Sequence, residues 1–199
     1  LGAYPGNYQT YENRDFGNSV QETIDGGYII TGSFGGHACL IKTDENGIEQ
    51  WNRTFGGIEF YSYGNSIQQT TDGGYIITGQ YGTGDKWNNM VELDDIFLIK
   101  TDNNGVEQWN HTFGGEDDDS GYSVEQTTDG GFIITGTINM WGGPPSEVIL
   151  LKTDENGIEQ WSQNFGDSDY NEGCLGLSGQ QTTDGGYIIT GMFGGQHGE

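Results

Sequence analysis

"KTDENGIEQWNRTFGG" (Lys42–Gly57) decides the reading of this chain, because it returns. It recurs as "KTDNNGVEQWNHTFGG" at Lys100–Gly115 and, altered, as "KTDENGIEQWSQNFGD" at Lys152–Asp167. A second phrase, "TTDGGYIITG" (Thr70–Gly79), brackets it and stands again at Thr182–Gly191. The Asp-Gly-Gly signals start at Asp25, Asp72, Asp129 and Asp184, so successive units are 47, 57 and 55 residues apart. Repeats of roughly 40 to 50 residues with turns inside each unit are the mark of propeller blades.

Each unit reads as four short strands. In the second unit these are Asn65–Thr70, Tyr75–Gln80, Ile96–Thr101 and Val106–Phe113, named A to D. Their β-branched and aromatic residues favour strands, and the "TDGG" and "DNNG" stretches between them supply hairpin turns. No window carries a helical period. The expected fold is all-β: a β-propeller of four blade-like repeats of about 50 residues, the last incomplete. The boundaries fall at 1–17 for a closing strand and loop, 18–64, 65–121 and 122–176 for three blades, and 177–199 for a partial fourth.

Composition narrows the function. The 199 residues include 37 Gly and carry a net charge of −24. That charge argues against nucleic acid or an anionic membrane as a partner and suits a cation or a basic one. No apolar stretch approaches the ~20 residues of a membrane span. The chain opens on Leu1 rather than Met, which points to a processed chain or a piece of a larger one. Cys39 and Cys174 lie in different units and are not expected to pair.

The run "GGYIITG…LIKTDENGIEQWNRTFGG" resembles the repeats of large secreted prokaryotic β-propeller proteins. More distantly, it resembles the tryptophan-bearing repeats of quinoprotein-type propellers. The likeness covers nearly the whole chain and implies an extracellular or cell-surface setting. It also implies that strand A lines the axis and strand D forms the rim. The quinoprotein likeness lacks the paired cysteines of that group. The turn phrase is similar to the Asp-box of sialidase propellers, where the box is structural.

The ends do not match. There are four A–B hairpins but three C–D hairpins. Tyr4 and Tyr8 repeat the four-residue spacing of Trp51 and Phe55, and Tyr4 precedes Ser19 by 15 residues, as Trp51 precedes Ser66. Residues 1–8 are therefore expected to form an outer strand. It would close the ring in cis or pair in trans with the open edge of the fourth blade, around Tyr187 and Ile189. A larger propeller, of which this chain is a piece, is the third arrangement.

Candidate site residues follow from what varies between units. The turn residues Asp44, Asn46 and Asp102 read as hairpin caps rather than a calcium loop, because no bidentate Glu follows. Trp51, Trp109 and Trp161 read as wedges between blades, Lys42, Lys100 and Lys152 as partners of nearby carboxylates, and the Gln-rich A strands as a ring of amides. The unrepeated loops carry Trp87, Trp141, Tyr61 and Tyr170, aromatics suited to stacking on a glycan or meeting a protein partner. Asp117, Asp118 and Asp119 could hold calcium, and no other cofactor is suggested. Asn52 ("NRT") and Asn110 ("NHT") are glycosylation acceptors in form.

Catalysis is not expected. His37, His111 and His197 are scattered, and Arg14 and Arg53 are too few for a sialidase-type arginine cluster. The expected role is a non-catalytic extracellular or cell-surface scaffold, with head-to-tail self-assembly by strand pairing as one of the arrangements open to it. A carbohydrate- or protein-binding module is the alternative, and a glycan-acting hydrolase ranks third.

Overall fold

The computed structural model describes residues 15–56, 61–82, 94–140, 146–166 and 173–193. These residues form fourteen strands in four antiparallel sheets and no helix. The first sheet holds β1 (Phe16–Glu22), β2 (Tyr28–Phe34), β3 (His37–Thr43) and β4 (Glu49–Phe55), side by side in chain order. The second repeats this with β5 (Ser62–Gln69), β6 (Tyr75–Gly82), β7 (Asp94–Thr101) and β8 (Glu107–Phe113). The third holds β9 (Ser120–Gln126), β10 (Phe132–Ile138), β11 (Glu147–Thr153) and β12 (Glu159–Phe165). The fourth has two strands, β13 (Leu175–Gln181) and β14 (Tyr187–Met192).

Strand bounds in the second sheet shift by one to three residues from the sequence reading, and two of the shifts have a plain local reason. The first strand of the second sheet begins at Ser62, three residues earlier than expected. A bulge between Gly64 and Ser66 absorbs the irregularity and lets pairing continue to Ser62 and Tyr81. Its last strand begins at Glu107, because the Val106 amide donates to Asp102 Oδ1 at 2.9 Å and so belongs to the turn.

One internal contact is used repeatedly. The first strands pack in sequence, β1 on β5, β5 on β9 and β9 on β13. Between sheets one and two, Ile29, Ala38 and Leu40 meet Ile67, Tyr75, Ile77, Phe97 and Ile99. Between sheets two and three, Ile76, Ile96 and Leu98 meet Val124, Phe132, Ile134, Ile149 and Leu151. Because a strand turns alternate residues to opposite faces, Ile76 and Ile77 serve different contacts. This explains why "YII" recurs without polar interruption: both faces are covered.

Each tryptophan among the described residues lies across such a contact. The ring centroids of Trp51 and Tyr75 are 6.0 Å apart, those of Trp109 and Phe132 5.8 Å, and those of Trp161 and Tyr187 5.5 Å. The turn of the following sheet folds over the indole. A Cβ on Gly105 would come within 2.6 Å of Trp51, and one on Gly157 within 2.6 Å of Trp109. These glycines also hold φ of 73° and 78°, so only a residue without a side chain fits both the turn and the indole below it.

Candidate functional site

The most repeated chemistry is a lysine node at the base of each full sheet. The side chains of Lys42, Lys100 and Lys152 are at most 6% exposed and lie 2.8–3.1 Å from Asp25, Asp72 and Asp129. Each ammonium also donates to the carbonyl of the following threonine, at 2.7–2.9 Å. A buried ammonium persists only with such a set of acceptors. Each Asp in turn accepts from the Thr hydroxyl two residues before it and the Gly amide two residues after it.

These bonds all favour the ionised carboxylate. The Thr23 hydroxyl and then the Lys42 ammonium hold Asp25 down to about 2. Asp129 is held at about 2 by the Thr127 hydroxyl, the Gly131 amide and Lys152. Burial pushes Asp72 upward, but Lys100, Thr70 and the Gly74 amide outweigh it and leave Asp72 at about 2. The node joins both hairpins of a sheet and is a structural device.

The turns are likewise self-contained. Asp44 Oδ1 accepts from the amides of Asn46 and Ile48, and Asp102 Oδ1 from those of Asn104 and Val106, all at 2.8–2.9 Å. This is the hairpin-cap arrangement expected of them.

The first strands line a shared cavity of 310 Å³, to which Gln21, Gln68, Glu125 and Gln180 all contribute. Three of these side chains face neighbouring backbone. Gln21 accepts from the Gln69 amide at 2.6 Å, Gln68 from the Gln126 amide, and Glu125 from the Gln181 amide at 3.0 Å. Amides were expected in a ring here. The structure adds that they bind strand to strand.

At the outer strands, each pair of full sheets leaves a groove. The groove between sheets one and two, 390 Å³, has a floor that includes Phe55, Tyr81 and Phe97 and an edge that includes Glu107, Asn110 and His111. The next groove, 420 Å³, places Phe113, Ile138 and Ile149 at the matching positions, with Glu159 and Ser162 on its edge. The sequence reading named Asn110 and His111 for other reasons and did not gather these residues into a groove. Their recurrence was visible, but which strands face one another across a groove is a tertiary fact.

The acidic stretch is a corner tie rather than an open ligand set. Asp118 Oδ1 accepts from the Asp94 amide at 2.9 Å, and Asp119 accepts from Asn139 at 3.0 Å and Gly115 at 2.9 Å. Asp119 is buried, and burial raises its carboxyl above the usual range against the pull of those two amides, with Asp95 and Asp117 adding to the rise. Among the described residues no three His, Cys, Asp or Glu side chains gather to hold a metal ion. The carboxylates of Asp118 and Asp119 meet backbone amides.

The remaining candidates separate. Trp87, Trp141, Tyr170, Tyr4 and Tyr8 lie outside the described residues. Tyr61 is half-buried at the start of the second sheet, where its carbonyl accepts from the Gly82 amide at 2.9 Å. Asn52 and Asn110 are exposed on β4 and β8 and donate to Glu49 and Glu107. Tyr187 and Ile189 face sheet three, with Tyr187 against Trp161, and it is Ile188 that points outward, 61% exposed. Cys39 and Cys174 are buried free thiols.

No family model matches this chain, and neither does any curated protein. A solved structure shares its fold. The crystal structure of a protein of unknown function from Bacteroides caccae, at 1.35 Å resolution, aligns with a TM-score of 0.54 over 87% of this chain at 12% identity. The alignment covers 52% of that protein, so the chain spans about half its length. At that identity the likeness concerns the fold alone.

Proposed function

We propose that this protein is a non-catalytic scaffold of the β-propeller type, working outside the cell or at its surface. One observation carries the reading: the side chains that recur from sheet to sheet are those that tie strands, turns and sheets together. The lysine nodes, the capped turns and the contacts of each of these Trp with a Tyr or Phe use the repeated polar and aromatic residues for packing. In this arrangement the four sheets are blades, and the shared cavity between β1, β5, β9 and β13 is the axial channel. The three outer strands form the rim, with Asn52 and Asn110 displayed on it for glycosylation.

A binding role is the second reading, favoured by the groove with an aromatic floor and a Glu–Asn–His edge. Aromatic faces with adjacent polar groups suit a sugar ring. An immobilised glycan panel and a set of chromogenic glycosides test both readings. The scaffold reading expects no retention and no turnover. Retention abolished by Tyr81→Ala or by Trp87→Ala and Trp141→Ala would favour the binding module, and turnover would favour a hydrolase.

A further inference from the structure

Neighbouring first strands are joined by a reciprocal pair of hydrogen bonds. Gln21 accepts from the Gln69 amide, and Gln69 in return accepts from the Ile24 amide at 2.9 Å. Gln68 accepts from the Gln126 amide, and Gln126 accepts from Thr71 at 2.9 Å. Glu125 accepts from the Gln181 amide, and Gln181 accepts from Thr128 at 2.9 Å. The pattern is set by register, since the forward acceptors lie opposite Ile29, Ile76 and Ile133 and the return acceptors opposite Tyr75, Phe132 and Tyr187.

The two end sheets carry the two unused halves of this pattern. Gln180 lies opposite Ile188, the forward position, and Glu22 lies opposite Tyr28, the return position. Both are exposed, as is Thr183, which stands where Ile24, Thr71 and Thr128 offer their amides. The apolar faces divide in the same way. Ile188 occupies the place of Ile76 and is 61% exposed where Ile76 is fully buried. Val20 occupies the place of Val124 and is 63% exposed against 5%. Tyr28, in the place of the buried Phe132, is 39% exposed.

We propose that a second copy of this chain stacks its first sheet on the fourth sheet of its neighbour, head to tail. In that contact Gln180 accepts from the Glu22 amide of the next copy, and that copy's Glu22 accepts from the Thr183 amide. The occupant is argued from continuity: the contact made within the chain at three successive steps has one half, a forward acceptor and a return amide, on the fourth sheet and the other half, a forward amide and a return acceptor, on the first. Apart from the Glu22 carboxylate the faces are amide and apolar, which suits a sheet rather than the basic partner that the net charge of −24 would otherwise invite. Because the joined surfaces differ, the contact is heterologous and builds a ring or a filament rather than an isologous pair. This goes beyond the scaffold reading and differs from strand pairing at the β14 edge, since sheet faces meet instead of backbone edges.

Sedimentation of the whole chain tests it. The mass should exceed the 21.7 kDa of one copy, and association should rise between about 0.05 M and 1 M salt as like charges are screened over ~3 Å instead of more than 10 Å. Val20→Asp and Ile188→Asp, both at exposed positions, should each give monomers with native circular dichroism. Their equimolar mixture should form a dimer and stop there, because it contains one intact head and one intact tail. Thr183→Pro removes the amide donor at a turn position that accepts proline, and should weaken association roughly three- to tenfold. A protein that stays monomeric at every salt concentration, or a mixture of the two Asp variants that does not pair, would overturn the proposal. Either result would leave the scaffold reading standing, since glycan retention and turnover decide that separately.

Discussion

The same ten residues, "TTDGGYIITG", form the turn and second strand of both the second and the fourth sheet. At Thr70–Gly79 their isoleucines are buried, Ile76 at 0% and Ile77 at 1% exposure. At Thr182–Gly191 Ile188 is 61% exposed. The hydrogen bonds inside the turn hardly change: Asp72 and Asp184 both accept from a Thr hydroxyl and a Gly amide. What differs is the neighbour. The second sheet has β7 beside β6 and a sheet on either face, whereas β14 has β13 beside it and sheet three on one face. Local sequence therefore determines the hairpin, and the neighbours determine what the hairpin contributes to stability.

Paired substitutions test that contrast, and truncating the isoleucine should have the largest effect. Ile76→Ala is expected to cost about 3 kcal/mol through lost burial and a residual cavity, and Ile188→Ala less than about 1 kcal/mol, as read from urea denaturation. Equal costs would break the comparison. Next comes glycine. A Cβ at Gly74 would sit 2.1 Å from the Thr101 carbonyl oxygen and 2.6 Å from Lys100 Nζ, whereas at Gly186 it would meet nothing nearer than the Thr182 hydroxyl at 3.1 Å. Gly74→Ala should thus cost about 2 kcal/mol by overpacking, and Gly186→Ala only a fraction of that.

The lysine nodes should show themselves in acid. Asp25, Asp72 and Asp129 titrate near 2 in the folded state, below the ordinary carboxylate value. An unfolded chain therefore binds more protons than the folded one in that range. The stability these groups contribute is complete above about pH 5 and is lost as pH falls towards about 2. The urea midpoint should drop across that window, and the drop should shrink when all three are changed to Asn. Asp95 and Asp119 act in the opposite sense, because burial raises both and their protonation on acidification relieves an unfavourable charge. Asp119→Asn should accordingly steepen the net acid loss. The smallest effect expected is that of glycans on Asn52 and Asn110. Both side chains are exposed, so intact mass should change with little movement of the thermal midpoint.

Much of this was legible in the repeat. The strands, the turn caps at Asp44 and Asp102, the Trp wedges and the pairing of each Lys with a carboxylate all follow from short-range chemistry that recurs at a fixed spacing. The acidic triplet shows what the sequence leaves out. Three consecutive aspartates look like a ligand set, but two of them meet backbone amides that the loops around Gly115 and Asn139 bring to them. Tyr187 and Ile189 were read as part of an open strand edge, and the structure adds that the two-residue period of the strand turns their side chains towards sheet three and turns Ile188 away.

By itself, then, the sequence determined everything that depends on neighbours a few residues apart: an all-β chain, its hairpins, and the identity of the repeating unit. The tertiary structure alone decided which face of each sheet is covered, which glutamine reaches which amide, and that Ile188 and Val20 stand exposed while their counterparts Ile76 and Val124 are buried. Those outcomes rest on contacts between residues 40 to 60 positions apart, and a repeat that spells each unit almost alike carries no local mark of which unit has a neighbour and which does not.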